Sequence, residues 1–101
     1  MNSKTREYVD KIAKVVEKFP DITKAVVVGT AVNDSYMFND NIMLAVFTKP
    51  EAKYTKICND LNYMLFDNNL TRVDLYMTAD EDFYAAVYDF IDSGEVIFER
   101  K

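Results

Sequence analysis

The side chains in this sequence limit the chemistry that it can perform. None of the 101 residues is a histidine, which excludes Ser-His and Cys-His nucleophiles, histidine general bases and histidine-ligated zinc. The one cysteine, Cys58, lies beside Ile57 and Leu61 in a helical pattern. We interpret it as a small buried apolar residue rather than a nucleophile. Catalysis would therefore have to rest on carboxylates, lysines or tyrosines.

Polar side chains stand at the entrance of an apolar strand in residues 38 to 47, FNDNIMLAVF. Asn41 and Met43 point to the same face of that strand, because side chains two residues apart share a face. A later strand, RVDLYM, presents Asp74 on its polar face. Asp74 could bind a hard cation such as Mg²⁺, but the Asn41 amide oxygen is a weak ligand for it and the Met43 thioether is none.

The elements that position these residues follow from the hydrophobic periodicity, which predicts alternating helices and strands. Helices are predicted over residues 3 to 19, from 48 to 67 and from 78 to 93. Strands are predicted over residues 25 to 29, 42 to 47, 72 to 78 and 95 to 99. We expect a single α+β domain, residues 1 to 101, with the helices on one face of a small mixed sheet.

Capping signals mark the helix ends. Capping boxes are predicted from Thr48 to Glu51 and from Thr78 to Glu81, and Gly94 is expected to be the C-terminal cap of the last helix. That helix is predicted to bury Phe83, Val87, Phe90 and Ile91.

Charge and composition narrow the class of protein. The net charge is −5 and the isoelectric point is about 4.6, which argues against a broad nucleic-acid surface. We interpret the N-terminal basic residues as the solvated face of a helix: Lys4, Arg6, Lys11, Lys14 and Lys18. The single cysteine, the absence of a long apolar run and the polar N-terminus favour a cytoplasmic protein without a membrane segment.

The stretch VVVGTAVNDSYMFNDNIMLAVF resembles the core of the minimal nucleotidyltransferases, small DNA polymerase β-like enzymes. Gly29 and Thr30 stand where the family has a Gly-Ser turn, and Asn41 and Met43 stand where it has an Asp-x-Asp pair. Asp74 stands at the place of the third carboxylate. The ending SGEVIFE is similar to the closing segment of these proteins. The resemblance covers nearly the whole chain and implies a nucleotidyltransferase-like fold with about four strands and about three helices.

The departures from the family concern the chemistry. Three carboxylates in such enzymes hold two Mg²⁺ ions that bridge the nucleotide phosphates and the attacking hydroxyl. Asn41 and Met43 replace two of them. The loop also has Ala31, Asn33 and Asp34 where the family usually offers Arg and Gly. The resemblance therefore implies a catalytically inactive domain that needs no cofactor, with Gly29 and Thr30 as the remnant of a nucleotide-binding turn.

Protein binding is the first functional hypothesis. Tyr36, Met37 and Phe38 are three successive large apolar residues in a predicted loop, where they either fill the empty pocket or form an interface. Tyr84 and Tyr88, off the core stripe of the last helix, extend the case for an interface. The resemblance implies a small helical partner of the HEPN class, with this chain as its antitoxin; self-association is the other possibility.

An enzyme with a remodelled site is the second hypothesis. It would be a nucleotidyltransferase that uses Asp74, with Asp40 or Asp34, to hold one Mg²⁺ and a nucleoside triphosphate. A third hypothesis is a nucleotide sensor that keeps Gly29 and Thr30 as a phosphate cradle without turnover.

Overall fold

The computed structural model of the chain describes residues 1–32 and 41–100. Within these ranges it contains three α-helices, four strands and one short 3-10 turn. Their bounds are α1 (Ser3–Val16), β1 (Ile22–Val28), the turn (Gly29–Val32), β2 (Ile42–Thr48), α2 (Tyr54–Asp67), β3 (Val73–Met77), α3 (Glu81–Ile91) and β4 (Glu95–Glu99). The predicted α+β class and its small mixed sheet are confirmed.

The four strands form one sheet in the order β3-β2-β1-β4. β1 is antiparallel to both β2 and β4, whereas β2 and β3 run parallel. The parallel pair is joined through α2, because parallel neighbours need a long crossover connection. β1 and β2 are therefore central, and β3 and β4 are the two edges.

The main core lies between one face of the sheet and helices α1 and α2. Side chains alternate along each strand, so Ala25 and Val27 of β1 share this face with Leu44 and Val46 of β2. Each of the four is fully buried. The helices contribute the fully or almost fully buried Val9, Ile12, Val16, Leu61 and Leu65.

Helix α3 covers the opposite face of the sheet, so the expectation that all helices lie on one face is wrong. Val87 of α3 packs against Val26, Val28 and Ala45, which alternate with the residues of the main core. β1 and β2 are apolar at successive positions, as is typical of strands buried on both faces. A single layer of helices would have left half of these side chains in water.

Two predicted capping boxes are wrong, and one physical reason applies to both. Thr48 is the last residue of β2 and is paired with Ile22, so α2 begins only at Tyr54. The Thr78 hydroxyl donates a hydrogen bond to the Val46 carbonyl at 3.2 Å. In both cases the threonine is used by the sheet before a helix can use it.

The start of α3 is capped two residues later than predicted. The Asp80 carboxylate accepts a hydrogen bond from the Asp82 N–H at 3.1 Å. Helix α1 is also shorter than predicted and ends at Val16, although Phe19 still packs against the main core.

A side-chain pair ties the start of α1 to β4. The Arg6 guanidinium donates two hydrogen bonds to the Glu95 carboxylate, one of them from Nη2 to Oε1 at 2.9 Å. These bonds lower the pKa of Glu95 and raise the pKa of Arg6. Both side chains are partly exposed, so we expect the pair to contribute at most about 1 kcal/mol.

Gly94 is needed for close packing rather than for a left-handed cap. The C-cap of α3 is Asp92, and Gly94 does not have positive φ, so Gly94 is not the predicted C-terminal cap. A Cβ atom at Gly94 would lie 2.7 Å from both Val26 Cγ1 and the Val27 carbonyl oxygen. The absence of a side chain lets the chain leave α3 and enter β4 directly against β1.

No helix in the described ranges 1–32 and 41–100 is both long enough and apolar enough to cross a membrane.

We expect Gly94→Ala to lower the free energy of unfolding by about 1 to 3 kcal/mol, because the added methyl group would force β1 and the start of β4 apart. Urea unfolding of the variant and the native chain measures the difference. Ser3→Ala, at an exposed position of α1 whose side chain forms no hydrogen bond within residues 1–32 and 41–100, is the control and should change stability by no more than about 0.5 kcal/mol. Equal stability of Gly94→Ala and the native chain would contradict the close approach.

Candidate functional site

The residues that the resemblance singles out meet at one end of the sheet. β1 ends there, and its antiparallel neighbour β2 begins there, with Val28 opposite Met43. β3 runs parallel to β2 and begins at the same end, with Met43 beside Asp74. The sheet register thus brings the turn after β1, the start of β2 and the start of β3 together.

Asn41 and Asp74 are joined by a direct hydrogen bond. The Asn41 amide nitrogen Nδ2 donates to Asp74 Oδ1 at 3.0 Å, and both residues are exposed. The carboxylate therefore accepts a hydrogen bond from a neutral donor that directly precedes the neighbouring strand, β2. The sequence predicted that the two residues share a site, and the structure adds that they contact each other.

Met43 connects this site to the smaller core on the α3 face of the sheet. Its half-buried side chain packs against the cluster that includes Val26, Val28 and Ala45. It lies on the same face as Asp74, because the two residues are paired in register. The thioether contributes to packing at this position and offers no oxygen ligand to a hard cation.

Gly29 adopts a backbone conformation that other residues rarely reach. Its φ angle is 79°, in the left-handed region that glycine enters without steric cost. A Cβ atom there would also lie 3.1 Å from the Met43 sulphur. The tight turn is thus confirmed, with Thr30 exposed and Ala31 buried behind it.

The described side chains of this site offer four polar or polarisable groups: the Asp74 carboxylate, the Asn41 carboxamide, the Thr30 hydroxyl and the Met43 thioether. Among residues 1–32 and 41–100, no group of three or more His, Cys, Asp or Glu side chains could hold a metal ion. The site can exchange hydrogen bonds with a ligand, but its described side chains do not form the acidic set that two Mg²⁺ ions require.

Several predicted site residues lie outside the described ranges. These are Asn33, Asp34, Tyr36, Met37, Phe38 and Asp40. Their assignments as turn residue, interface residue or alternative metal ligand stay predictions.

Tyr84 and Tyr88 form a pair on α3. Their ring centroids are 5.4 Å apart at an interplanar angle of 67°, an edge-to-face contact. Tyr84 is half-buried, and Tyr88 is 60% exposed. The predicted placement of both rings away from the core stripe is confirmed.

Phe83 and Phe90 are more exposed than the sequence predicted, at 43% and 47%. They are seven residues apart and so lie on one flank of the Val87 stripe, with the two tyrosines on the other flank. Phe83 contacts Tyr76 of β3 edge to face, at a centroid distance of 6.0 Å. We call Phe83, Tyr84, Tyr88 and Phe90 the α3 aromatic flanks.

A second aromatic pair, on α2, was missed by the sequence reasoning. Tyr63 and Phe66 are 74% and 69% exposed. They are three residues apart and off the buried stripe of α2, so a helical projection that included every aromatic residue would have found them. Cys58 is half-buried rather than fully buried as predicted, and burial raises the pKa of its thiol, which disfavours the thiolate form.

Comparison with protein-family models and with curated proteins adds no relative. No protein-family model matches the chain, and no curated protein matches it. The resemblance to nucleotidyltransferases therefore depends on the residues and element order of this chain alone.

We expect Asn41→Asp to lower the free energy of unfolding by about 1 kcal/mol at low salt, because it removes a hydrogen bond and places a second carboxylate beside Asp74. The loss should shrink as salt is added, since exposed charges are screened. Asn62→Asp, an exposed position on α2, makes the same change of charge elsewhere and is the control. If the two variants unfolded alike at every salt concentration, the Asn41 and Asp74 pair would contribute nothing.

Proposed function

We propose that this chain is a catalytically inactive nucleotidyltransferase-like domain that acts by binding another protein. The observation that carries the proposal is the hydrogen bond between the Asn41 amide and the Asp74 carboxylate. It stands where the resemblance requires two acidic metal ligands on neighbouring strands.

The chemistry of metal-dependent phosphoryl transfer supports inactivity. Two Mg²⁺ ions are held by several charged oxygens, which compensate their charge and fix the in-line geometry. Asp74 supplies one such group, the Asn41 amide is neutral, and Met43 supplies none. The substitutions also remove like charges that would repel each other across adjacent strands when no metal neutralises them.

The composition and exposure of α3 support a protein partner. Most of its residues are apolar or aromatic, but Val87 is the only one of its described side chains that is fully buried. A helix that is apolar around most of its circumference normally requires cover on more than one side. The α3 aromatic flanks supply the residue types that are enriched at protein interfaces.

Charge indicates what the partner surface is like. Between Arg72 and Arg100 the sequence has no lysine or arginine, whereas Asp and Glu recur throughout β3, α3 and β4. A basic partner surface complements aromatic rings set among carboxylates. A small helical protein of the HEPN class, which this chain would mask as an antitoxin, is the partner that the resemblance implies; a second copy of this chain is the other.

The double substitution Tyr84→Ser/Tyr88→Ser should weaken binding to the protein partner by about tenfold or more, because buried tyrosines carry much of the energy of an interface. The measurement is co-purification with the product of the neighbouring gene, followed by titration of the purified pair. Sedimentation of the chain alone measures self-association at the same time.

Tyr63→Ser is the matched control, since Tyr63 is exposed on α2, on the other side of the sheet. Its affinity for the partner should equal that of the native chain, and thermal unfolding should show that all variants are folded. Unchanged hetero-association and self-association in the double variant would contradict the assignment of this surface.

The competing hypothesis is an active enzyme centred on Asp74. It has one specific observation in its favour: Asp74 is exposed beside Met43 at the end of the sheet where the Gly29 turn lies. Magnesium-dependent transfer of labelled nucleotide to an acceptor, lost in Asp74→Ala, would favour this hypothesis over the proposal.

A further inference from the structure

A cavity of about 590 Å³, widely open to solvent, lies between α1 and the segment that connects α2 to β3. Its wall on the α1 side includes Lys4, Tyr8 and Lys11, and its other wall includes Asn69 and Thr71. Its volume falls within the range of small-molecule sites, about 300 to 1,000 Å³. None of the residues of the candidate functional site lines it.

The charge of the cavity is opposite to that of the protein. The described residues that line it include three cations, Lys4, Lys11 and Arg72, and one carboxylate, Glu7. The whole chain has a net charge of −5. A concave surface that gathers cations focuses a positive potential and raises the local concentration of anions.

One wall of the cavity is held in place by contacts between elements distant in sequence. The Tyr8 hydroxyl accepts a hydrogen bond from the Arg72 backbone N–H at 3.1 Å. The Arg72 guanidinium also lies over the Tyr8 ring, 5.6 Å from its centroid. These contacts fix α1 against the start of β3, so little ordering of the wall is required when a ligand binds.

The two lysines are free to bind a ligand. Within residues 1–32 and 41–100, neither Lys4 nor Lys11 forms an ion pair or a side-chain hydrogen bond. They are seven residues apart on α1, about 10 Å along the helix axis, and both line the cavity. The Asn69 amide and the Thr71 hydroxyl add neutral donors to the opposite wall.

We propose that this cavity binds a phosphorylated small molecule with at least two phosphoryl groups. The separated ammonium groups of Lys4 and Lys11 can both be paired by a ligand with more than one anionic centre. The Asn69 amide and the Thr71 hydroxyl can donate hydrogen bonds to phosphoryl oxygens. An extended nucleic acid strand is the competing ligand, because Lys14 and Lys18 line a second groove that adjoins the cavity at Lys11. The net charge of −5 favours the smaller ligand, since a long anionic strand is repelled by the field of the whole chain.

The test is calorimetric titration of the full chain with inorganic triphosphate and with ATP, both without magnesium. Both probes should bind, and Lys4→Gln/Lys11→Gln should weaken both affinities by about tenfold. Lys53→Gln/Lys56→Gln, which removes the same net charge from α2, should leave both affinities unchanged. Equal affinities of the two probes assign recognition to the phosphate chain, and tighter binding of ATP assigns it to a nucleotide.

Three results would overturn the proposal. The first is no binding of either probe at millimolar concentration, and the second is an equal loss of affinity in the two double variants. The third is tighter binding of a single-stranded oligonucleotide than of ATP, which would make the ligand an extended polyanion. Amide chemical shifts locate the site independently: they should change around Tyr8 and Thr71, and changes confined to Gly29 and Thr30 would count against the cavity.

Discussion

The burial of β1 and β2 on both faces is the constraint on which the rest of the structure depends. The run from Ala25 to Val28 is apolar at every position and buried at every position. Helices α1 and α2 cover one face, so the remaining face needs α3. The chain must then pass from α3 into β4 directly against β1, and only a residue without a side chain fits at Gly94.

The same constraint shapes the candidate site. Asn41 and Asp74 lie where the strands begin and the core ends, so their polar groups are exposed. Met43 lies two residues further along the chain than Asn41. Its side chain packs against the smaller core on the α3 face of the sheet and approaches Gly29. A carboxylate at position 43 would take charge into this half-buried place, at a cost that a bound metal would have to compensate. The thioether makes the position part of the core.

Sequence reasoning located the strands well, because β-branched runs and alternation are local signals. It misplaced the starts of α2 and α3, because Thr48 and Thr78 are engaged by strand residues distant in the sequence. Periodicity showed that α3 is apolar, but it could not show which face of the sheet α3 covers. For this reason Phe83 and Phe90 were predicted to be buried, although they lie beside the contact that Val87 makes with the sheet. The basic residues of α1 were interpreted as a solvated face, and only the long-range contact between Tyr8 and Arg72 shows that Lys4 and Lys11 border a cavity.

The proposed loss of metal chemistry at Asn41 and Met43 is tested most directly by thermal unfolding of two chains with ATP, each with and without magnesium. One is the native chain, and the other is Asn41→Asp/Met43→Asp, which supplies the three carboxylates of the family pattern. Nucleotide at a hundred times its dissociation constant stabilises a protein by about 2.7 kcal/mol, a shift of several degrees in a domain of this size. Comparison at equal ATP isolates the magnesium-dependent part. We expect magnesium to raise the unfolding temperature of the double variant in the presence of ATP, and not that of the native chain; such a rise in the native chain would contradict the account.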